Sequence, residues 1–295
     1  MSLHDKTFIV TGGGKGLGRA YSRYLAALGA NVVVNNRSHA GESISSAERV
    51  VAEITAAGGK AVAEHSSAED VASGERLLAC ALDSFGRLDG LVANAGVSEG
   101  VSFHKQDLAD FRKVIEINLM GTVNVVHPVF RHLYQQGHGS IIVSTSVAGL
   151  YGEHGLPAYS TSKAGLLGLM YSLSKEGARH QVRVNALAPY GSTQMTEENL
   201  SESMRDRMNP EHVAPVVAWL MSEGCTVNGE VIIAGGGLMG TASTREPVPV
   251  PLPLSLLGNV DFAAISAAWN VLSGNALECE YQGALQHFAG FMKPE

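Results

Sequence analysis

The chain has 295 residues, of which 45% are hydrophobic and 17% are charged, enough for one large α/β domain or two smaller ones. Its formal net charge of −7 gives no basic surface of the kind that binds nucleic acid, so no nucleic-acid partner is expected. The three cysteines, Cys80, Cys225 and Cys279, have neither disulfide-framework nor zinc-site spacing, which indicates no metal and a reducing, cytoplasmic setting. We see no secretory signal and no run of about 18 apolar residues, so no membrane partner is expected.

Short strands and helices alternate over the first 240 residues. Buried strands are predicted at 7–10, 31–34, 60–63, 88–93, 140–144, 182–188 and 230–233. Helices are predicted at 20–28, 43–57, 75–85, 108–134, 158–179 and 210–221, with Pro128 bending or interrupting the fourth. Apolar strands separated by helices indicate a parallel sheet covered on both faces. The sequence therefore predicts an α/β fold of the Rossmann type, with a doubly wound, parallel, seven-stranded sheet.

The composition changes after Gly240. Proline occupies every second position from Pro247 to Pro253, a pattern that favours extended polyproline structure and excludes a central strand. A further helix is predicted at 260–272. We therefore expect one domain over residues 1–240 and a proline-rich linker with a C-terminal extension over residues 241–295. The extension has two open roles, packing on the surface or on a neighbouring subunit, and covering the mouth of a ligand site.

A glycine-rich turn, TGGGKGLG at 11–18, joins the first predicted strand to the first predicted helix. Its spacing is Gly-x-x-x-Gly-x-Gly, whereas the usual dinucleotide fingerprint is Gly-x-Gly-x-x-Gly. Glycines allow a tight turn and let backbone N–H groups approach a pyrophosphate at a helix N-terminus. Such a turn also occurs without a ligand, but its position between strand and helix favours a dinucleotide cofactor.

The end of the second strand is where folds of this type contact an adenosine ribose. An acidic residue there binds the ribose 2′-hydroxyl of NAD, whereas an arginine accommodates the 2′-phosphate of NADP. The chain has Asn36 and Arg37 in place of an acid, and Lys15 in the glycine turn supplies a second cation. We therefore predict NADP(H) as the preferred cofactor, with NAD(H) as the alternative if these cations are ordinary solvated charges.

Tyr159 and Lys163 belong to the stretch YSTSK and lie four residues apart within a predicted helix. Residues at this spacing share one helix face. An ammonium group held there lowers the pKa of a phenol from its reference of about 10 and makes it a useful proton donor at neutral pH. The same spacing also arises by chance, so the pair by itself does not decide the function.

Together these segments resemble the short-chain dehydrogenase/reductase family over residues 4–240. The matching stretches are TGGGKGLG at 11–18, ANAG at 93–96, Asn118 in EINLMG, Ser146 in IIVSTSVAG, and YSTSK at 159–163. The resemblance implies that Tyr159 exchanges a proton with a carbonyl or alcohol oxygen, and that Ser146 holds that oxygen. It also implies that Lys163 lowers the pKa of Tyr159 and binds the nicotinamide ribose. Asn118 would hold a water through a local bend in its helix.

The resemblance makes residues 1–240 a dinucleotide-binding catalytic domain, with cofactor residues along one edge of the sheet. The predicted cofactor-binding residues are Gly12, Gly14, Lys15, Gly16, Leu17, Gly18, Asn36, Arg37, Ser66, Asn94, Ala95, Gly96, Tyr159, Lys163, Pro189, Gly191 and Thr193. Two positions depart from the family pattern. Tyr190 breaks the proline–glycine loop after the sixth strand, and Ser66 stands where many relatives have an aspartate against adenine.

Substrate residues are predicted from the loops after the fifth and sixth strands, where ligands bind in such sheets. They are Ser146, His154, Tyr159, Tyr190 and Met195. Stretches such as GEHGLPAYSTSKAGLLGL are similar to the (3R)-hydroxyacyl-CoA dehydrogenase portion of peroxisomal multifunctional enzymes. The resemblance implies hydride transfer between NADP(H) and a ketone or secondary alcohol, in a homodimer or homotetramer. Candidate substrates are 3-oxoacyl thioesters and ring ketones such as steroids.

Other functions stay open at this point. The nearest alternative is an NAD(H)-dependent 3-hydroxyacyl-CoA or hydroxysteroid dehydrogenase. A non-catalytic, dinucleotide-sensing protein on the same fold would be favoured by loss of Ser146, Tyr159 or Lys163, and the chain has all three. An epimerase or dehydratase of the family would have a larger substrate domain than residues 241–295 provide.

Overall fold

Eight strands form the central sheet of the computed structural model, which describes residues 3–38, 41–192, 201–251, 262–274, 278–279 and 286–287. In chain order they are β1 (Thr7–Thr11), β2 (Asn31–Asn35), β3 (Lys60–Glu64), β4 (Gly90–Ala93), β5 (Gly139–Ser144), β6 (Val182–Pro189), β7 (Val231–Gly235) and β8 (Leu238–Ala242). They lie in the order β3-β2-β1-β4-β5-β6-β7-β8, and the pairings from β3 to β7 are parallel. The predicted Rossmann-type, doubly wound α/β fold is confirmed.

The sheet has one strand more than the seven that the sequence predicted. β8 follows β7 after a turn at Gly235, Gly236 and Gly237. Their φ angles of 155°, 60° and 76° lie in the region that favours glycine, so the three residues let the chain turn sharply and add β8 beside β7. The prediction ended its last strand at Ile233 and gave this turn no structural role.

Helices accompany the strands in alternation. They are α1 (Gly16–Ala27), α2 (Ser46–Ala56), α3 (Ser73–Phe85), α4 (Leu108–Ile115), α5 (Gly121–Gln136), α6 (Val147–Tyr151), α7 (Pro157–Ala178), α8 (Glu202–Arg207) and α9 (Ala214–Met221). The sequence predicted one helix over 108–134, whereas the structure has α4 and α5 joined by a π-helical segment, Glu116–Met120. Pro128 lies inside α5 without ending it, so the irregularity falls before the proline rather than at it.

The strands are buried on both faces, as a parallel sheet between helices requires. Phe8, Ile9 and Val10 of β1 are all fully buried, and α1 covers one face with Tyr21 and Leu25, which lie one turn apart. Burial of each such side chain contributes about 1.5–3 kcal/mol. This core holds the strand ends in place, and those ends carry the polar residues of the site.

Contacts between Cα atoms divide the chain into two compact units, Met1–Thr241 and Ala242–Glu295. The second unit contains β9 (Glu246–Pro247), which pairs antiparallel with β10 (Glu278–Cys279), and α10 (Phe262–Gly274). The helix predicted at 260–272 corresponds to α10. Among the residues that the structure describes, no helix is long and apolar enough to cross a membrane.

Candidate active site

The glycine-rich turn leads from β1 into α1 through two residues with left-handed backbone. Gly12 and Gly16 have φ angles of 64° and 48°, conformations that favour glycine. A Cβ atom on Gly18 would collide with the Gly12 carbonyl, and a Cβ atom on Gly14 would lie 2.5 Å from the Ser46 Oγ. The N-cap of α1 makes no side-chain hydrogen bond to the first helical turn. The turn therefore combines close backbone approach with an uncapped helix N-terminus, an arrangement that suits a pyrophosphate.

Hydrogen bonds tie the ends of β1 and β4 to each other beside this turn. Thr11 Oγ1 accepts from the backbone nitrogens of Asn94 at 3.0 Å and Ala95 at 3.1 Å. Asn94 Nδ2 donates to the Thr11 carbonyl at 3.1 Å. β1 and β4 are neighbours in the sheet but not in the chain, so their connections leave in opposite directions and open a crevice. Doubly wound folds bind ligands in such crevices.

A cleft of about 500 Å³ lies at these strand ends. Ten of the predicted cofactor residues line it: Gly12, Lys15, Gly16, Leu17, Asn36, Arg37, Ser66, Asn94, Ala95 and Gly96. The lining also includes residues that sequence analysis did not single out, among them Ser67, Ala68, Glu69, Ser98 and Glu99. The contributions come from the loops after β1, β2, β3 and β4, which the parallel sheet brings to one edge.

An ion pair lies on the wall of the cleft formed after β2 and β3. Arg37 Nη1 is 3.4 Å from Glu69 Oε2, and the same carboxylate oxygen accepts from Ser67 Oγ at 3.1 Å. The side chain of Arg37 is 49% exposed and that of Glu69 is 37% exposed, so both remain open to solvent. Asn36 Nδ2 donates to the Arg37 carbonyl at 3.3 Å. Glu69 thus brings a carboxylate to a region where residues 35–38 have none.

Ser146, Tyr159 and Lys163 come together after β5. Ser146 caps α6, where its Oγ accepts from the Ala148 backbone nitrogen at 3.1 Å. Its hydroxyl lies close enough to the Tyr159 side chain to act on the pKa of that phenol. Lys163 lies one turn after Tyr159 on α7, with its Nζ 5.7 Å from the centroid of the tyrosine ring. The same Nζ donates to the Ser144 carbonyl at 2.7 Å. A phenol, a hydroxyl and an ammonium group are therefore assembled around one point.

Burial shifts the pKa values of both titratable groups in this set. Burial raises the pKa of Tyr159, and the nearby Ser146 hydroxyl acts in the opposite direction. Burial lowers the pKa of Lys163 from 10.5 to about 8. We expected Lys163 to lower the pKa of Tyr159. In the protein the pKa of Tyr159 is raised, because burial outweighs the effect of Ser146. The Lys163 ammonium group donates its hydrogen bond to the Ser144 carbonyl instead of to the phenol.

Asn118 lies in the π-helical segment between α4 and α5, where the resemblance implied a local bend. Its Oδ1 accepts from the Val97 nitrogen at 2.8 Å, and its Nδ2 donates to the Val97 carbonyl at 2.9 Å and to Ser162 Oγ at 3.1 Å. Ser162 in turn donates to the Tyr159 carbonyl at 2.7 Å. A π-helical turn redirects a side chain inside a helix and is frequent at functional sites. Here it joins the loop after β4 to the start of α7.

Sequence reasoning did not assign a role to Ser162 or Thr145. Thr145 Oγ1 donates to the Lys163 carbonyl at 2.8 Å and so fixes α7 to the end of β5. The only signal for Ser162 was its place inside YSTSK, and spacing gave no indication of its partner Asn118, 44 residues away. Both residues orient the backbone that carries Tyr159 and Lys163.

The remaining predicted residues lie around these two centres. An added Cβ on Gly191 would lie 2.8 Å from Leu17 Cδ2, so the loop after β6 reaches the glycine turn. Pro189 ends β6. Tyr190 is 44% exposed, and His154 lies exposed between α6 and α7. Thr193 and Met195 are outside the described residues.

The Ser66 side chain is held by the protein itself. Its hydroxyl bonds to Glu64 and accepts from Arg76 Nε at 2.8 Å. Ser66 therefore lines the cleft with its hydroxyl already engaged by Glu64 and Arg76. Within the described ranges, no group of three His, Cys, Asp or Glu side chains could hold a metal ion.

The parallel sheet, the glycine turn at its switch point and the serine–tyrosine–lysine set together define an oxidoreductase of the dinucleotide-binding α/β class. The family model of the short chain dehydrogenases matches residues 6–204. The chain belongs to the short-chain dehydrogenase/reductase family.

Three similar proteins illustrate the likeness. Peroxisomal multifunctional enzyme type 2 of Mus musculus is 39% identical over 244 residues, which are 81% of this chain and 33% of the mouse protein. A 3-oxoacyl-[acyl-carrier-protein] reductase of Synechocystis is 35% identical, with 81% of this chain and 98% of the reductase covered. The structure of full-length peroxisomal multifunctional enzyme type 2 from Drosophila melanogaster matches with a TM-score of 0.83 at 30% identity, over 98% of this chain and 49% of that one. The chain thus spans a third of the mouse multifunctional enzyme and about half of the Drosophila one.

Proposed function

We propose that this chain transfers a hydride between NADP(H) and a ketone or secondary alcohol. The observation that carries the proposal is the convergence of Ser146, Tyr159 and Lys163 after β5, beside a glycine turn whose shape suits a pyrophosphate. Gly14 and Gly18 have no room for a side chain, so the chain keeps backbone at the surface where a dinucleotide would lie.

Each residue around the proposed reaction centre has a separate role. Bound nicotinamide would supply the hydride or accept it. Ser146 would hold the substrate oxygen by a hydrogen bond, and Tyr159 would donate a proton to that oxygen as it gains negative charge. Lys163 would place positive charge beside the phenol and bind the nicotinamide ribose. Asn118 would keep α7 in position and hold a water that leads to Lys163.

Two cations on the cleft support NADP(H) as the preferred cofactor. Arg37 and Lys15 both line the cleft, and residues 35–38 contain no carboxylate. An arginine at this position suits a 2′-phosphate, because its guanidinium group offers several donors in one plane. NAD(H) is the alternative, and a 2′-hydroxyl would need an acceptor from elsewhere in the cleft.

The substrate we propose is a 3-oxoacyl thioester, with ring ketones such as steroids as the second class. Support comes from the likeness to the Synechocystis protein named as a 3-oxoacyl-[acyl-carrier-protein] reductase. Tyr190 and His154 lie in the loops after β6 and α6, near the proton-transfer residues in the chain, and are our candidates for contact with the substrate. We further propose a cytoplasmic homodimer or homotetramer, assembled through α4, α5 and α7.

Replacing Tyr159 with Phe tests the mechanism. We expect Tyr159→Phe to lower kcat for reduction by about 10²–10⁴-fold, because it removes a positioned proton donor, while the Kd for NADPH changes little. The measurement follows NADPH consumption with a 3-oxoacyl-CoA and a keto-steroid, alongside NADPH binding by fluorescence. Tyr171→Phe, the same change further along α7, is the matched control and should keep full activity. Turnover that survives in Tyr159→Phe would show that another group supplies the proton.

A further inference from the structure

Glu69 brings a carboxylate to the part of the cleft where residues 35–38 have none. It reaches this wall from the loop after β3, and its Oε2 lies 3.4 Å from Arg37 Nη1. Ser67 Oγ donates to the same oxygen at 3.1 Å, which directs the carboxylate towards the arginine. Arg37, Ser67 and Glu69 all line the cleft. The guanidinium group on which the NADP(H) proposal depends is therefore already paired within the chain.

This pairing affects the two cofactors in opposite ways. A 2′-phosphate carries up to two negative charges, so it must compete with Glu69 for the donors of Arg37 and meets a like charge beside them. A free 2′-hydroxyl has no such conflict, because a carboxylate oxygen can accept its hydrogen bond. Both side chains of the ion pair are more than a third exposed, and an exposed pair is weak enough to exchange partners.

We propose that Glu69 is a specificity-determining residue for the cofactor. By engaging Arg37 it weakens the preference for a 2′-phosphate, and it offers an acceptor to the 2′-hydroxyl of NAD that the end of β2 lacks. This inference rests on the proposed function, since it assumes that the ribose of a nicotinamide dinucleotide lies against this wall. Glu69 thus makes the chain less selective for NADP(H) than it would be with Arg37 and Lys15 alone.

The test is calorimetric binding of NADP⁺ and NAD⁺ to the full chain, in the wild type and in Glu69→Gln. The glutamine keeps the size of the side chain and removes its charge. We expect the ratio of NADP⁺ to NAD⁺ affinity to rise about fivefold, the scale of one exposed ion pair, with tighter binding of NADP⁺. Glu75→Gln is the matched control, because Glu75 forms an exposed ion pair with Arg131 at 3.5 Å outside the cleft, and its neutralisation changes the net charge equally. Its ratio should stay at the wild-type value.

Arg37→Ala separates this inference from the proposed cofactor preference. A loss of NADP⁺ preference in Arg37→Ala, together with the wild-type ratio in Glu69→Gln, would overturn the role of Glu69 and leave the preference for NADP(H) standing. An equal rise in Glu69→Gln and Glu75→Gln would also overturn it, since the effect would then be one of overall charge. NAD⁺ preference in the wild type with no change in Arg37→Ala would instead refute the proposed cofactor itself.

Discussion

Lys163 holds an ammonium group in a place where only 4% of the residue is exposed. One hydrogen bond, to the Ser144 carbonyl, partly offsets the loss of solvation. The lowered pKa of about 8 shows that the protein disfavours the charged form. The proposed mechanism needs the positive charge of Lys163 beside Tyr159. Burying that charge lowers the stability of the fold, so function and stability make opposite demands on Lys163.

Lys163→Met should therefore stabilise the fold while abolishing activity. A shift from 10.5 to about 8 corresponds to roughly 3 kcal/mol, and losing the hydrogen bond costs about 1 kcal/mol, so we expect a gain of about 2 kcal/mol near neutral pH. Below pH 8 the lysine is protonated in both the folded and the unfolded chain, and the gain is complete. As the pH rises from about 8 to 10.5, the folded wild type loses the proton first and becomes more stable, so the gain shrinks.

Urea unfolding at about pH 7 and about pH 10 measures this difference. Lys113→Met, at an exposed position on α4, serves as the control and should show no such pH dependence. Equal or lower stability of Lys163→Met at the lower pH would mean that the buried ammonium group is compensated by more than its one backbone acceptor.

At the scale of elements, the π-helical segment between α4 and α5 connects two parts of the site. Asn118 makes three hydrogen bonds from it, two to the Val97 backbone and one to Ser162. A regular helix would turn this residue to a different direction, and the amide would lose its partners. The segment is therefore a structural requirement for the position of α7.

Asn118→Ala should lower the free energy of unfolding by about 2–3 kcal/mol, because it removes the partners of the half-buried Val97 backbone groups and one partner of the buried Ser162 hydroxyl. Asn124→Ala is the comparison, since Asn124 makes one hydrogen bond, to the Ala68 carbonyl at 3.0 Å, and should cost about 1 kcal/mol. Denaturant unfolding of both variants gives the two values. Equal losses of unfolding free energy in the two variants would show that the three hydrogen bonds of the Asn118 amide stabilise the fold no more than the single bond of Asn124.

Local patterns account for what the sequence could predict at this scale. The glycine spacing, the apolar strands and the i, i+4 pair on α7 each depend on residues close in the chain, and the structure places them as expected. The contacts of Glu69 with Arg37 and of Ser162 with Asn118 join positions 32 and 44 residues apart. No local pattern encodes them, because they arise only when the parallel sheet brings separate loops to one edge.

At the scale of the whole molecule, the cleft and the residues Ser146, Tyr159 and Lys163 all belong to the unit Met1–Thr241. The sequence predicts a domain over residues 1–240, and we propose that the unit Met1–Thr241 folds without the extension. The extension retains its two possible roles, packing on the outside and covering the substrate mouth.

A shortened protein of residues 1–241 should bind NADPH with a Kd within about twofold of the full chain and unfold in one cooperative transition. Calorimetric binding and thermal unfolding measure these two properties. A rise in the KM for substrate with an unchanged Kd for NADPH would assign the extension to the substrate mouth, and unchanged values of both would assign it to packing. Aggregation or loss of NADPH binding would contradict the independence of the unit.

The strand order has a consequence for changing this enzyme by selection. The wall with Arg37 and Glu69 is built on β2 and β3, on one side of the switch point, whereas Ser146, Tyr159 and Lys163 are supported by β5 and α7 on the other. Under the proposed function, we expect variation confined to the first wall to change the coenzyme preference and to leave the geometry around Tyr159 unchanged. A library at residues 36–37 and 66–69 could therefore redirect the enzyme from one cellular redox pool to another while its reaction stays the same.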